Sequence, residues 1–485
     1  MKILLTTLNS KYIHTNLAIR YLKKCIERDV RNRDDINVEV QEFTINNSED
    51  YIYNEIIAGE HDIVCFSCYI WNIEKTLHLC ENLKKALPEI KILLGGPEVS
   101  YDGDQLMEKY EFIDYILAGE GEKLLPEVLL KITDENPPRQ LWRATPVSVE
   151  DIPFPYEDAE ENKIIYYEST RGCPYNCSYC MSSIDKKVRP LPIDRVKDEL
   201  NFFLEKKVKQ VKFLDRTFNW NKERSYEIFQ YLIENDNGLT NFHFEICAEN
   251  MTEETIDLIG TARKDLFQFE IGIQSTCQET LKSVDRLSDV DLLLGKIEKL
   301  IALRNCHIHV DLIAGLPFEN LERFKKSFDD VYNLGADALQ LGFLKLLKGT
   351  KIRKEEENYG FVYDEKAPYQ IIKNDFLSAK DLNLLKRVEN VLDEFYNKGG
   401  FENSLKALVE HFPGAFDMYE AFAKFYYENG YQKASHKKED NYRILNKFAV
   451  EVVMDSSLTQ VIYADMEKRL NFDAVKKFNR KGWEI

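Results

Sequence analysis

Residues 171–183 read RGCPYNCSYCMSS and place three of the chain's ten cysteines, Cys173, Cys177 and Cys180, in one short window. Cysteines at that density bind metal or form disulfides. A disulfide framework needs partner cysteines, and a structural zinc site needs four ligands. An iron–sulfur cubane normally takes four thiolates, so three leave one iron open to another ligand. No Cys or His lies within sixty residues downstream of Cys180, which weighs against a zinc knuckle. The other seven cysteines (25, 65, 68, 80, 247, 277 and 306) sit in apolar strand or helix contexts. They are expected to be buried, reduced thiols, which fits a cytoplasmic protein.

Two α/β series must position this loop. In the first, KILLTT (2–7), INVEV (36–40), DIVCFS (62–67), KILLGG (91–96) and DYILAG (114–119) read as five strands alternating with helices, hence a parallel sheet covered on both faces. Ligands of such sheets bind beyond the carboxyl ends of the strands. Those ends carry SCYIWN (Ser67, Tyr69, Trp71), GGPEVS (Gly95, Gly96, Pro97, Glu98) and GEGE (Gly119, Glu120, Gly121). Paired glycines there let the backbone approach a bulky ligand. Residues 133–160, rich in proline and acidic groups, read as a linker. A second series of six strands between 163 and 346, again alternating with helices, suggests a partial barrel with its chemistry at the carboxyl ends of the strands. The cysteine loop follows the first of these six. Residues 361–485 are helical by pattern, with no metal-ligand spacing and no phosphate loop.

The cysteine spacing C-x3-C-x2-C, with Tyr179 before the last cysteine, resembles the signature of the radical SAM superfamily. GGPEVS and GEGE resemble the cobalamin-binding domain that precedes the catalytic core in many of these proteins. The resemblance implies an α/β chain of three domains and a linker: a Rossmann-like cobalamin-binding domain (1–132), a linker (133–160), a partial (β/α)6 TIM-type radical SAM core (161–360), and a mostly helical domain (361–485) similar to an uncharacterised extension of some family members. It implies three cofactors: a 4Fe–4S cluster on Cys173, Cys177 and Cys180, S-adenosylmethionine on the open iron, and cobalamin. The D-x-H-x-x-G motif that supplies a cobalt-ligating histidine in corrinoid mutases is absent, so the resemblance implies cobalamin with no histidine ligand and loop 67–72 as the wall of its lower face. In FEIGIQS, Glu270, Gly272, Gln274 and Ser275 fall where the family contacts the ribose of S-adenosylmethionine. Gly315 and Pro317 of DLIAGLP fall near the adenine. Asp215 takes the place of a G-G-E motif beside the methionine amine, and Arg286 is the candidate for the methionine carboxylate.

The function so implied is a methyltransferase that moves a methyl group from S-adenosylmethionine via methylcobalamin to an unactivated carbon. A non-methylating cobalamin-dependent radical reaction (ring formation, rearrangement or sulfur-linked modification) is the alternative, and a non-catalytic corrinoid or S-adenosylmethionine sensor belongs to another class. The resemblance also implies an external electron donor such as flavodoxin or ferredoxin. No apolar run is long enough to span a membrane, and no signal peptide is evident. The formal net charge of −18 argues against broad nucleic-acid binding. A small basic excess in the last fifty residues or so leaves an anionic substrate open, such as a modified nucleoside in tRNA, beside an ordinary small molecule. The helical region is expected to close the lateral gap of the partial barrel.

Overall fold

A computed structural model describes residues 1–157 and 162–483. The first sheet has six parallel strands: β1 (Lys2–Asn9), β2 (Asn37–Thr44), β3 (Ile63–Ser67), β4 (Lys91–Gly95), β5 (Tyr115–Ala118) and β6 (Gln140–Arg143), in the order β2-β1-β3-β4-β5-β6. Ile3, Leu4, Leu5, Val64, Phe66, Ile92 and Leu94 are buried on its two faces, the pattern of a parallel sheet sandwiched by helices. The first of those helices, Leu17–Asp29, is capped by Asn16, whose side chain accepts from the Ile19 N–H. The chain leaves β1 for β2 on one side and returns to β3 on the other. The crevice beyond the carboxyl ends of β1 and β3 is therefore the switch point, where open sheets of this kind bind ligands.

The span 133–160 is not simply a linker. The last helix of the sheet runs to Glu135, and β6 adds to the sheet edge with Tyr115 opposite Gln140 and Leu117 opposite Trp142. Positions 158–161, which include the end of the expected linker and the start of the expected core, lie outside the described residues.

The second sheet is β7 (Ile165–Tyr167), β8 (Gln210–Phe213), β9 (Asn241–Ile246), β10 (Phe267–Gln274), β11 (His307–Ala314) and β12 (Ala338–Phe343). All pairings are parallel and follow chain order, which gives an open six-stranded arc. One face is packed with Phe213, Phe244, Phe267 and Phe269 under the helices. The other, inner face carries Lys212, His243, Glu245, Glu270, His309 and Asp311, an unusually charged lining for a barrel.

The region after 360 is helical apart from a short antiparallel ribbon, Val362–Tyr363 with Ile371–Lys373. Its helices share one continuous core with the arc. Phe416 packs edge-on against Phe328 of helix Leu321–Tyr332 at 5.4 Å. Asn397 covers the free edge of β12: its side chain accepts from the Leu339 N–H at 2.9 Å and donates to the Leu339 carbonyl at 3.0 Å. An uncovered edge is a template for unwanted pairing, and this amide satisfies it. Among the described residues, no helix is long and apolar enough to cross a membrane.

Candidate functional site

The cysteine loop leaves β7 through a two-residue ribbon in which Thr170 and Arg171 pair with Pro190 and Arg189. Gly172 then turns with φ +86, where an added Cβ would lie 2.4 Å from the Lys187 carbonyl, so only glycine fits. Three backbone bonds fix the loop: Cys173 N–H to Asp185 O at 3.0 Å, Ser178 N–H to Val284 O at 2.9 Å and Cys180 N–H to Cys177 O at 3.0 Å. All three sulfurs are free thiols and line one cavity of about 220 Å³ at the carboxyl end of the arc. Among the described residues no three His, Cys, Asp or Glu side chains converge as ligands of one ion. A mononuclear zinc site requires that convergence, whereas a cluster takes each thiolate on a different iron.

Opposite the cysteines stand Glu270, Gly272, Gln274 and Arg286. Gln274 sits in the left-handed region (φ +72) at a register shift between β10 and β11. Its amide folds back over Gly272, where a Cβ would lie 2.1 Å from Gln274 Nε2. Gln274 Oε1 and Arg286 Nε are buried without a partner, an acceptor and a donor left for a ligand. Arg286 also donates to the Gly272 carbonyl. Burial works against the Glu270 carboxylate, but His243 at 3.1 Å and Lys212 at 3.0 Å outweigh it and hold its pKa at about 2. Glu270 is thus a permanent anion beneath the cavity.

Other expected residues stand elsewhere. Asp215 is fully buried and accepts from the Ser169 N–H and hydroxyl at 2.7 and 2.6 Å. It ties β8 to the strand before the cysteine loop and does not line the cavity; burial pushes its pKa up to about 6. Ser275 donates to the buried Glu319 at 2.7 Å, one layer behind the cavity. Gly315 (φ +98) meets Ile371 and accepts from Asn374 at 2.9 Å, so it anchors the C-terminal region, and neither it nor Pro317 lines the cavity. Several lining residues were not singled out from sequence, Glu245 and Asp311 among them. Cys247, expected to be an inert core thiol, faces the same space as the three loop cysteines, and Arg216 forms part of its wall.

The second cavity, about 460 Å³, opens at the switch point of the first sheet. Tyr69 and Trp71 stack with ring centroids 4.5 Å apart and planes 3° from parallel. Trp71 Nε1 donates to Leu8 O at 3.0 Å, and the buried Asn72 accepts from the Tyr69 N–H at 2.7 Å while donating to Leu8 O and Ser67 O. Tyr69, Trp71, Pro97 and Glu98 line this cavity. Ser67, Gly95 and Gly96 do not line it: Ser67 O accepts from Asn72, and Gly95 O accepts from the Cys68 N–H at 2.8 Å. Gly96 (φ +100) lies so close to Cys68 that a Cβ would be 2.6 Å from its carbonyl. Gly119, Glu120 and Gly121 are not part of it. Gly119 abuts Ala144 and Gly121 abuts Leu22, while Glu120 pairs with Arg189 and Glu122 with Arg171. Through these pairs the GEGE loop docks the first sheet onto the ribbon that carries the cysteine loop, and the Glu122–Arg171 pair lines the second cavity. His14 is the histidine at this cavity, and its Nδ1 lies 2.6 Å from the Tyr166 hydroxyl. A larger surface groove, about 830 Å³ between helices Leu17–Asp29 and Gly121–Glu135, holds none of the expected site residues.

Three families match in succession. B12 binding domain covers residues 3–129, Radical SAM superfamily 167–331, and Protein of unknown function (DUF4080) 357–483. The chain is a cobalamin-dependent radical SAM protein. A cobalamin-dependent radical SAM methyltransferase, TokK of Streptomyces tokunonensis, is 26% identical over 346 residues, 62% of this chain and 50% of that protein. The 2-(S-pantetheinyl)-carbapenam-3-carboxylate methyltransferase of Streptantibioticus cattleyicolor is 24% identical over 319 residues, 58% of this chain and 46% of that protein. This radical SAM protein therefore spans about half the length of both relatives. Its fold resembles that of the cobalamin-dependent S-adenosylmethionine radical enzyme OxsB in complex with aqua-cobalamin and S-adenosylmethionine: TM-score 0.63 at 16% identity, over 100% of this chain and 81% of that one.

The residues present fit the groups the family carries. An all-thiolate triad suits a cluster with one open iron. The unpartnered Gln274 Oε1 and Arg286 Nε suit a polar ligand on that iron, and the stacked Tyr69–Trp71 wall suits a flat macrocycle.

Proposed function

We propose that this radical SAM protein is a methyltransferase that uses S-adenosylmethionine, a 4Fe–4S cluster and cobalamin to methylate an unactivated carbon of a small molecule. The observation that carries this reading is the junction of the two cavities: Arg216 lines both, and Met181, the residue after Cys180, reaches the second. Two cofactors that must act on one carbon have to face a common space, and this arrangement supplies it.

When bound, the cluster with S-adenosylmethionine supplies a carbon-centred radical, and cobalamin supplies the methyl group. The chain's own part is to hold and orient. Cys173, Cys177 and Cys180 hold the cluster. Arg286 and Gln274 offer a donor and an acceptor to the methionine and ribose groups, above the fixed negative charge of Glu270. Tyr69 and Trp71 carry the corrin face. Arg216 stands where the substrate must lie, with Glu245 and Asp311 on the barrel side. An external donor such as flavodoxin or ferredoxin would approach a cluster held there from the open side, where Leu287 on the cavity rim is 84% exposed. Free thiols at all ten cysteines are in keeping with a cytoplasmic setting.

The test is anaerobic reconstitution with iron, sulfide and hydroxocobalamin, followed by incubation with methyl-labelled S-adenosylmethionine, a reductant and a small-molecule extract. Label entering a small molecule supports the reading. Label entering only RNA would replace the substrate class, and cobalamin passing unbound through gel filtration would defeat the reading itself.

A further inference from the structure

Glu98 raises a question that the B12 binding domain does not answer. It lies in the turn Pro97–Ser100, lines the second cavity and is 2% exposed. A carboxylate so buried needs partners. Among the described residues, those of its side chain come from beyond the barrel. The Tyr369 hydroxyl donates to Oε2 at 2.7 Å, and Lys348 Nζ stands 3.8 Å from the same oxygen. Lys348 also donates to the Glu98 carbonyl at 3.0 Å and pairs with Asp102 at 2.7 Å. Next to it Gly349 (φ +81) lies flat on the Tyr101 ring, where any Cβ would come within 2.5 Å. Leu347 reaches the cavity directly.

The same strap holds the cysteine loop. Ile352 N–H donates to the carbonyl of Ser178, between Cys177 and Cys180, at 3.0 Å. Arg353 closes the strap, donating to Leu346 O at 2.9 Å with its guanidinium 4.7 Å from the Tyr369 ring centre. Residues 346–353 therefore touch the loop behind the second cavity with one end and the cluster loop with the other.

We propose that this strap completes the corrinoid site: Lys348 pins loop 96–102, and Lys348 with Tyr369 fixes the Glu98 carboxylate as an acceptor for the amide N–H groups at the corrin edge. Corrinoid affinity then depends on residues outside the B12 binding domain. The inference rests on the proposed corrinoid reading, deepens it by assigning these positioning residues, and makes the strap the element that spaces the two cofactors.

The test uses the full chain, reconstituted anaerobically, with hydroxocobalamin as the probe. Affinity is read from absorbance titration and cluster loading from iron content. Lys348→Met and Tyr369→Phe are expected to weaken hydroxocobalamin binding roughly ten- to hundredfold, the range set by losing a hydrogen bond to a charged group. Iron content should stay at the wild-type value. Lys348→Arg should recover most of the affinity. Lys351→Met serves as the control, because Lys351 is on the same strap but pairs with Asp285 and Glu355; it should bind as wild type. Wild-type affinity in both Lys348→Met and Tyr369→Phe would overturn the inference, as would an equal loss in the Lys351 control. Tyr369→Phe removes one oxygen, so it decides the matter if Lys348→Met fails to fold. A wild-type protein that binds no hydroxocobalamin would instead sink the corrinoid reading beneath it.

Discussion

Arg286 Nη1 lies 3.8 Å from the sulfur of Cys177 while its Nη2 holds the Gly272 carbonyl. One buried guanidinium thus links the cluster loop to the strand that presents Gln274. Burial disfavours its charge, but the Tyr179, Cys177 and Cys247 side chains around it outweigh that and keep its pKa above the ordinary value. A fixed cation beside a cluster thiolate stabilises the reduced, more negative cluster.

Arg286→Met should therefore make the cluster harder to reduce, by roughly 60–130 mV if the lost interaction is that of a charged hydrogen bond. Redox titration followed by electron paramagnetic resonance reads the shift. An unchanged potential with weakened S-adenosylmethionine binding would assign Arg286 to the cofactor alone.

Of the paired glycines at the end of β4, Gly96 and not Gly95 is the intolerant one. A Cβ on Gly95 finds its nearest neighbour at 3.8 Å, whereas Gly96 combines φ +100 with a 2.6 Å approach to Cys68 O. Gly96→Ala should cost about 1–3 kcal/mol and reduce hydroxocobalamin retention. Gly95→Ala should change stability by less than about 0.5 kcal/mol. Chemical denaturation of the two variants compares them directly.

The GEGE loop should behave as a docking element. Arg171 and Glu122 are nearly buried at 12% and 10% side-chain exposure. Arg171 keeps Glu168 at 2.8 Å, so Glu122→Gln removes one charged hydrogen bond and should cost about 1.5–3 kcal/mol, read as a lower melting temperature. Loss of hydroxocobalamin binding with unchanged stability would assign Glu122, which lines the second cavity, to the cofactor rather than to docking.

Acid should loosen the same junction. Burial opposes the Glu120 carboxylate, but the Arg189 ion pair prevails and holds its pKa below the ordinary 4.5. A depressed carboxylate contributes stability that is complete above its unfolded pKa and is lost as pH falls through the folded one. Glu270, at about 2, follows the same sign. The Glu120 and Glu270 contributions should thus be lost below about pH 4.5, against the opposite trend of buried carboxylates with raised pKa such as Asp215, and Glu120→Gln should remove the upper part of that loss. A profile unchanged by the substitution would count against the ion pair.

Much of this was legible in the sequence, because the informative signals are local. The cysteine triad, the buried strand runs and the loops at strand ends all declare themselves within a dozen residues. What escaped depends on which way a side chain faces. Gln140–Arg143 hides among prolines, and its pairing with β5 is set by tertiary docking rather than by period. Glu120 and Asp215 sit at ligand-edge positions, yet each turns to a neighbouring element, an arginine across the junction and a serine on the strand before. Cys247 looked like any apolar-context thiol because the charged inner face of the arc is visible only once six strands are side by side. Lys348 and Tyr369 meet Glu98 across some 250 residues of chain, a separation no local pattern encodes.

On the proposed function, two cofactors act from adjoining cavities on one carbon. The most direct test follows both products of S-adenosylmethionine in the reconstituted holoprotein, with reductant and an extract that contains the substrate. S-adenosylhomocysteine and 5′-deoxyadenosine should form in nearly equal amounts, and both should be lost in the Cys173→Ala, Cys177→Ala, Cys180→Ala triple variant. Accumulation of 5′-deoxyadenosine without S-adenosylhomocysteine, from a protein with its cobalamin bound, would contradict that function.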